Sequence, residues 1–225
     1  MSTVIAFDVY GTLVDPLAIT TALEHWCGAQ SQLVATTWRQ RQLEYTWRRS
    51  AMGRYVDFAV VTAQALQVAL TQARCYVSSA DQQQLCQIYS HLPAAPHAIP
   101  ALQALRSAGF RCVAFSNATP SMLTTLLNAN DIAPHLDTII SLHEVRRYKP
   151  HPDAYHFLAQ HCQTRRDNCW LVSCNSWDVL GAIHAGLHGI WVRPDGTPNE
   201  PWEFAPDVSL PDFPTLVDYA CINIR

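Results

Sequence analysis

The chain has 225 residues, of which 49% are apolar and 15% are charged, and its formal net charge is −3. This length and composition suit one large domain, or a core domain that carries an inserted cap. Because no block of like charges occurs and no apolar run approaches the ~18 residues that span a bilayer, we expect neither a nucleic-acid partner nor a membrane partner.

The cysteines and histidines do not predict a metal site. None of the eight cysteines forms a CxxC pair, and the ten histidines are scattered along the chain. A strand-like segment begins near Met1 without a basic or apolar leader, so no signal peptide is predicted. We therefore expect a cytoplasmic protein whose thiols are mostly small buried side chains rather than partners in a disulfide framework.

The first predicted element is a buried strand at residues 4–7, which ends at Asp8 and leads into a tight loop with Gly11 and Thr12. From about residue 16 to residue 91, apolar side chains recur at helical spacing. Helices and strands then alternate. The predicted helices cover 99–108, 119–128, 153–162, 177–185 and 214–220, and the predicted strands cover 111–115, 138–141, 169–172 and 189–192. The proline-rich stretch from Pro194 to Pro214 is predicted to be irregular surface chain.

The alternation of strands with helices of about ten residues predicts right-handed βαβ units and a parallel sheet. The fold class is therefore α/β, with a Rossmann-like core. The helical stretch interrupts this alternation directly after the first strand. We expect a core domain of residues 1–15 and 92–225, with a helical cap subdomain of residues 16–91 inserted into it.

Polar side chains follow several of the predicted strands, where ligands bind in open parallel sheets. They are Asp8 and Thr12, Ser116 and Asn117, Lys149, and Ser173, Asn175 and Asp178. Taken singly, each serine, asparagine or aspartate is better explained as a helix N-cap, and the lysine as a surface residue. Taken together, they predict an active site.

This arrangement resembles the haloacid dehalogenase superfamily, in order and spacing, over essentially the whole chain. The matching motifs are Asp8-Val9-Tyr10-Gly11-Thr12, Ser116-Asn117, Lys149, and Ser173-Cys174-Asn175-Ser176-Trp177-Asp178. Most of that superfamily are magnesium-dependent phosphatases, which have a second aspartate where this chain has Tyr10, and acidic metal ligands where it has Ser173 and Asn175. A tyrosine, with a pKa near 10, is a poorer proton shuttle at neutral pH, and two carboxylates suit a hard divalent cation poorly.

The departures from the phosphatase pattern resemble one subfamily, the L-2-haloacid dehalogenases. Its motifs Asp-x-Tyr-Gly-Thr and Ser-x-Asn-x-Trp-Asp are present, and so is its cap stretch, here Trp38-Arg39-Gln40-Arg41-Gln42-Leu43-Glu44-Tyr45-Thr46-Trp47. Phe115 and Ala118 depart from the leucine and glycine more usual around the Ser-Asn pair. The resemblance implies hydrolysis of short L-2-haloacids to D-2-hydroxyacids, with inversion, through an aspartyl ester and without a cofactor or metal. It also implies a homodimer.

The resemblance assigns a role to each residue of the predicted site. Asp8 is the nucleophile, Lys149 keeps it ionised, and Arg39 meets the leaving halide with Gln40 and Tyr10 nearby. Thr12 and Ser173 form hydrogen bonds within the site, and Tyr155 supports it. Ser116 and Asn117 bind the substrate carboxylate, and Asn175 and Asp178 position the hydrolytic water. An apolar pocket is formed by Leu43, Phe58 and Trp177.

Other interpretations stay open. From spacing alone, Arg39 is better explained as a solvated helix residue, and only the resemblance to the family reverses this. Ordinary core packing is an alternative for Leu43, Phe58, Trp177 and Tyr155. A magnesium phosphatase of the same fold is the alternative enzyme, and a non-catalytic binding module is the alternative from another class. The preferred halogen, the chain length and the acceptance of fluoride are not fixed by the sequence.

Overall fold

The computed structural model describes residues 3–193 and 196–224, and these form a six-stranded parallel sheet. The strand order is β3-β2-β1-β4-β5-β6. The strands are β1 (Val4–Asp8), β2 (Arg111–Ser116), β3 (Thr138–Ser141), β4 (Cys169–Ser173), β5 (His188–Val192) and β6 (Val208–Leu210). β1 is buried along its whole length because both faces of the sheet are covered, which explains its unbroken apolar sequence.

The connections place β1 at the point where the strand order reverses, with β2 on one side of it and β4 on the other. In register, Asp8 lies opposite Phe115 of β2, and Phe7 lies opposite Val172 of β4. The chain therefore leaves all three strands at one edge of the sheet, beside Asp8. Open α/β sheets bind ligands in the crevice at such a switch point.

Helices make up the rest of the regular structure. They are α1 (Ile19–Cys27), α2 (Ser31–Ala51), α3 (Phe58–Gln72), α4 (Ser79–Ile88), α5 (Ala98–Ser107), α6 (Pro120–Ala129), α7 (Pro152–His161), α8 (Ser176–His184) and α9 (Phe213–Asn223). Side chains cap the first turns of several: Asp57 accepts from the Val60 amide in α3, and Thr119 accepts from the Met122 amide in α6. The first four helices, with short 3₁₀ turns, fill residues 16–91, and α2 packs against both α1 and α3.

Two apolar clusters cover the two faces of the sheet. Alternate residues of β1 supply them: Ile5 and Phe7 belong to the larger cluster, and Val4 and Ala6 belong to the smaller. This is the two-residue period of a strand. The larger cluster continues without a break into α1, α2 and α3, so the helical stretch shares a core with the sheet.

Among the described residues, no helix has the length and apolar character needed to cross a bilayer.

The α/β fold class with a parallel sheet is confirmed. The prediction for the proline-rich stretch from Pro194 to Pro214 is wrong in part, because β6 lies within it and pairs with β5, from Ile190 opposite Val208 to Val192 opposite Leu210. Pro194 itself lies outside the described residues. A three-residue strand is too short to show apolar alternation, and its pairing comes from a neighbour distant in sequence.

Candidate active site

The carboxylate of Asp8 lies at the carboxyl end of β1 and is held at both oxygens. Its Oδ1 accepts a hydrogen bond from Lys149 Nζ at 3.0 Å. Its Oδ2 accepts from Asn175 Nδ2 at 2.8 Å and from Thr12 Oγ1 at 3.1 Å. The residue is 5% exposed. Such a carboxylate is fixed in direction and shielded from bulk water, as a nucleophile must be.

The ammonium group of Lys149 lies at the centre of the site and is fully buried. Nζ donates to Asp8 Oδ1, to Asp178 Oδ2 at 2.8 Å and to the carbonyl oxygen of Phe115 at 2.8 Å. These three contacts use all three of its donors. One buried cation is thus shared by two buried carboxylates, and the cluster carries a net negative charge when all three groups are ionised.

Asp178, in the first turn of α8, is the second carboxylate of this cluster and is fully buried. Its Oδ1 accepts from the Tyr155 hydroxyl at 2.8 Å. Burial raises the pKa of Asp178 to about 6; Lys149 opposes this shift, and the negative charge of Asp8 adds to it. Burial, followed by the charge of Asp178, raises the pKa of Tyr155, so its hydroxyl remains a donor at neutral pH.

The turn that follows β4 folds back onto Asp8. The Ser173 hydroxyl lies 3.5 Å from Asp8 Oδ2 and accepts from the Asn175 amide at 3.0 Å. Thr12 Oγ1, which donates to Asp8, accepts from the Cys174 amide at 3.0 Å. The hydroxyls of Ser173 and Thr12 therefore join the loops after β1 and β4 and set the direction in which Asn175 points.

The turn that follows β2 holds the backbone of Lys149. Asn117 Oδ1 accepts from the backbone amide of Lys149 at 3.0 Å. The Ser116 hydroxyl, which is buried, accepts from the Ala118 amide at 3.2 Å and so shapes the entry to α6. Backbone amides at the start of a helix are a favourable place for an anion, so this turn could receive a carboxylate.

Arg39 reaches this edge of the sheet from α2. Its Nη2 donates to the carbonyl oxygen of Tyr10 at 2.8 Å, and Asn175 Nδ2 lies 3.3 Å from the same oxygen. Gly11 has φ +92°, and a Cβ there would lie 3.1 Å from Asn175 Nδ2 and 3.5 Å from Arg39 Nη2. The arginine thus lies beside the asparagine that binds Asp8, in a space that only glycine leaves open.

Gln42 holds Arg39 and is itself held by Thr62 and Tyr89, and the sequence pattern indicated none of these three residues. Gln42 is fully buried, and its Oε1 accepts from Arg39 Nη1 at 2.9 Å and from the Tyr89 hydroxyl at 3.0 Å. Its Nε2 donates to Thr62 Oγ1 at 2.8 Å. Because Gln42 lies in a largely polar stretch of the helix, the sequence predicts that its side chain is exposed to solvent. The available signal was its spacing, since Gln42 lies three residues after Arg39 and four after the buried Trp38, on one helix face.

Tyr10 and Phe58 lie in an aromatic group above the sheet edge. The Tyr10 ring is stacked on the Tyr89 ring, with centroids 5.4 Å apart, and lies 5.9 Å from the Phe58 ring. Within the described part of the chain, the buried Tyr10 hydroxyl has no hydrogen-bond partner. Burial raises the pKa of Tyr10, so it is a neutral phenol and does not replace the second aspartate of a phosphatase.

The remaining predicted residues are more peripheral. Trp177 packs edge-on against Trp47 of α2, with centroids 5.6 Å apart, and also lines an apolar cavity of about 340 Å³ on the outer side of α8. Leu43 is half-buried, and Gln40 is exposed. Since successive residues of an α-helix are about 100° apart, Gln40 points away from the direction of Arg39. Gln42, rather than Gln40, is the glutamine that contacts this arginine.

The side chains of the site do not fit a magnesium ion. Asp8 and Asp178 would be its ligands, yet both are hydrogen-bonded to the ammonium group of Lys149. In residues 3–193 and 196–224, no group of three or more histidine, cysteine, aspartate or glutamate side chains could hold a metal. His184 and His188, although four apart in sequence, lie on α8 and β5 and are not one helical pair. The described site offers the neutral side chains of Ser173 and Asn175 where phosphatases need acidic ligands.

Comparison with known proteins identifies the family to which the chain belongs. Residues 3–186 match the model of the haloacid dehalogenase-like hydrolase family. The chain is 36% identical to (S)-2-haloacid dehalogenase 1 of Pseudomonas sp. (strain CBS-3), over 94% of each chain. It is 32% identical to haloacetate dehalogenase H-2 of Moraxella sp. (strain B), over 95% of each. The structure of L-2-haloacid dehalogenase from Xanthobacter autotrophicus with chloropropionic acid covalently bound superposes with a TM-score of 0.92, at 28% identity over the whole of both chains. The chain therefore belongs to the haloacid dehalogenase-like hydrolases and, among them, to the (S)-2-haloacid dehalogenases.

Proposed function

We propose that this protein hydrolyses short L-2-haloacids to D-2-hydroxyacids, with Asp8 as a covalent nucleophile and without a metal or cofactor. The observation that carries the proposal is the Asp8 carboxylate bound to the buried ammonium of Lys149, with the Arg39 guanidinium linked to it through the Tyr10 carbonyl oxygen and Asn175. An ionised, oriented carboxylate beside a second cation suits displacement of an anionic leaving group. The covalently bound chloropropionic acid of the Xanthobacter autotrophicus enzyme also supports it.

In the first step, a carboxylate oxygen of Asp8 attacks the halogen-bearing carbon from behind. The carbon–oxygen bond forms as the carbon–halogen bond breaks, and the halide leaves with the electron pair, which inverts the carbon. Lys149 pairs with the charge of Asp8 and orients the carboxylate before attack. Arg39 stabilises the negative charge that develops on the halide, and electrostatic stabilisation of this kind usually accelerates a reaction more than any other single effect.

In the second step, water attacks the carboxyl carbon of Asp8, the ester bond breaks, and the hydroxyacid leaves. Asp178 and Asn175 position this water, and its first proton passes to Asp178 and then to solvent. The alkoxide oxygen that is released when the acyl–oxygen bond breaks takes up the second proton, so that the product leaves as the hydroxyacid and Asp8 returns to a carboxylate. The raised pKa of Asp178, about 6, suits a base that is ionised at neutral pH yet accepts a proton readily. Thr12, Ser173 and Tyr155 hold these groups through the hydrogen bonds described above.

The substrate is an anion with a short apolar tail, and we assign both of its ends. The turn of Ser116 and Asn117, with the amides that open α6, binds the carboxylate. The apolar part lies against an aromatic and aliphatic wall. The residues proposed for this wall are Tyr10, Leu43, Phe58 and Trp177. Two of them, Tyr10 and Phe58, are in ring contact.

The test is halide release from L-2-chloropropionate in the presence of EDTA, with the D-enantiomer as the stereochemical control. We expect release from the L-form only, at an unchanged rate with the chelator, and none from Asp8→Asn. Magnesium-dependent hydrolysis of simple phosphomonoesters without dehalogenation would overturn the proposal in favour of a phosphatase.

The ester itself is tested in heavy-oxygen water. In a single turnover with enzyme in excess, the hydroxyacid should carry light oxygen from Asp8, and the peptide containing Asp8 should gain the heavy label. Direct attack of water on the substrate predicts heavy product from the first turnover. An unlabelled Asp8 peptide after many turnovers, measured by mass spectrometry, would rule out the ester.

We further propose a cytoplasmic homodimer with a core of residues 1–15 and 92–225 and a cap of residues 16–91. The mutual packing of α1, α2 and α3 supports the cap, the free cysteines support a reducing compartment, and the resemblance to the family supports the dimer. Light scattering should give twice the chain mass of 25.2 kDa. A monomer at micromolar concentration would contradict the dimer.

A further inference from the structure

We propose that Gln42 is a positioning residue that fixes the direction of the Arg39 guanidinium without neutralising its charge. The inference rests on the proposed function, in which Arg39 stabilises the leaving halide. Gln42 is buried in the helical stretch of residues 16–91, two positions after Gln40, the glutamine that the sequence pattern indicated.

The orientation of the Gln42 amide follows from its neighbours. The Thr62 hydroxyl donates to the carbonyl oxygen of Phe58 at 2.7 Å, the residue four positions earlier in α3. Thr62 Oγ1 can therefore only accept from the amide, so the atom that faces it at 2.8 Å is Nε2. Oε1 must then point the other way, towards Arg39 Nη1 and the Tyr89 hydroxyl.

The guanidinium of Arg39 is consequently held at two corners. Nη1 donates to Gln42 Oε1 at 2.9 Å, and Nη2 donates to the Tyr10 carbonyl oxygen at 2.8 Å. Because the guanidinium is planar and rigid, two fixed acceptors on different elements determine its plane. One acceptor comes from α2 and the other from the loop after β1, so the group is placed relative to both the helix and Asp8.

Both acceptors are neutral. A carboxylate at position 42 would bind the arginine more strongly, but it would cancel the charge that the halide needs. An apolar residue would leave the Tyr89 hydroxyl and the guanidinium without this acceptor inside the core. A buried amide, anchored by Thr62, supplies direction and leaves the positive charge uncompensated.

The experiment compares Gln42→Leu and Gln42→Glu with wild type in single-turnover halide release from L-2-chloropropionate. A displaced catalytic group loses about a hundredfold in rate, and we expect this loss for Gln42→Leu. The concentration of substrate at half-saturation should change little, because the halide carries no developed charge in the bound substrate. Gln42→Glu, which keeps the shape and the acceptor, should also be slow, since its carboxylate neutralises Arg39. Gln67→Leu, an exposed glutamine on α3, is the matched control and should behave as wild type.

A double-mutant cycle separates positioning from a structural role. In an Arg39→Lys background, where a single ammonium cannot bridge both acceptors, Gln42→Leu should add less than about a threefold loss. An equal loss in both backgrounds, or wild-type rates in both Gln42 variants, would overturn the inference while the proposed function stands. If wild type releases no halide from any short 2-haloacid, the proposed function itself fails, and this inference fails with it.

Discussion

At the scale of single residues, Lys149 supplies the fixed positive charge beside Asp8. Its three hydrogen bonds go to Asp8, Asp178 and a carbonyl oxygen at the end of β2, so its position depends on two strands and a helix. A buried charge of this kind is tolerated because it is both paired and hydrogen-bonded. Removal of Lys149 would leave two buried carboxylates without a cation in the centre of the molecule.

The pH dependence of the reaction should reflect the Asp178 carboxyl. Its pKa is raised to about 6, chiefly by burial, so Asp178 is ionised above this pH and protonated below it. We expect the rate of hydrolysis of the Asp8 ester, measured as hydroxyacid formation after halide release, to be constant well above pH 6 and to fall about tenfold per pH unit below it, because protonated Asp178 cannot accept the proton of the water.

Unfolding should not account for this loss. The folded pKa of Asp178 lies above the ~3.9 of an unfolded aspartate, so its contribution to stability is fully present below pH ~3.9 and is lost as pH rises through 6. Circular dichroism should stay constant between pH 7 and pH 5. A rate of ester hydrolysis that stays flat down to pH 5 would contradict a role for the Asp178 carboxylate.

Residue identities predicted the charged centre of the site well and its surroundings less well. Asp8, Lys149, Asn175 and Asp178 were indicated because they follow strands at one edge of a sheet. The carbonyl oxygen of Tyr10, which joins Arg39 to Asn175, has no signature in sequence, since every residue has one. The contact of Gln42 with Arg39 was not predicted for a similar reason: both glutamines fit a polar helix, and only tertiary packing tells the buried Gln42 from the exposed Gln40.

At the scale of elements, α7 and α8 approach closely beside the site because one position lacks a side chain. An ideal Cβ on Gly181 would lie 2.4 Å from Tyr155 Oη and 2.7 Å from Pro150 Cβ. Glycine lowers intrinsic helix stability, so a glycine inside α8 needs a reason in packing. The reason here is that the Tyr155 hydroxyl must cross above Gly181 to reach Asp178 Oδ1.

Gly181→Ala should therefore lower the free energy of unfolding by about 1–3 kcal/mol, as expected for overpacking, although alanine is the better helix former. Halide release should fall as well, because Tyr155 is displaced from Asp178. Adding Tyr155→Phe, which removes the atom that an added Cβ would meet at 2.4 Å, should restore part of the stability and none of the activity. Urea denaturation measures the first quantity. A Gly181→Ala variant as stable as wild type would show that this close contact is unimportant.

The element predictions depended on how local each signal is. The apolar run of β1 and the helical spacing of residues 16–91 are local patterns, and both elements formed where expected. β6 was missed because its three residues, Val208–Leu210, gain their conformation from pairing with β5. Edge pairing of this kind is decided by the assembled sheet and not by the strand's own sequence.

At the scale of the whole molecule, Tyr148 joins the helical stretch to the sheet. Its hydroxyl donates to the carbonyl oxygen of Val56 at 2.6 Å, and its amide donates to the Ser50 hydroxyl at 3.0 Å. Its ring lies 5.1 Å from the Tyr55 ring and 6.3 Å from the Phe58 ring. The next residue is Lys149, so the contact between the two parts of the chain is one residue from the charged centre.

Tyr148→Phe should loosen this contact without emptying the core. Loss of one buried hydrogen bond should reduce the free energy of unfolding by about 1 kcal/mol, because the Val56 carbonyl loses its donor. Hydrogen–deuterium exchange should rise in residues 50–58, and KM should rise more than kcat falls. Tyr76→Phe is the matched control, since that tyrosine is 96% exposed. Unchanged exchange in residues 50–58 would show that this hydrogen bond does not hold the two parts together.

Lys149 is also the only lysine in the sequence. Incorporation of nitrogen-15 lysine would therefore give a single backbone amide resonance, and that amide donates to Asn117 Oδ1 in the turn proposed to bind the substrate carboxylate. Its ammonium resonance would come from the group shared by Asp8 and Asp178. One isotopically labelled amino acid would thus make the protein its own spectroscopic probe, with which formation and hydrolysis of an ester on Asp8 could be followed without assigning any other residue.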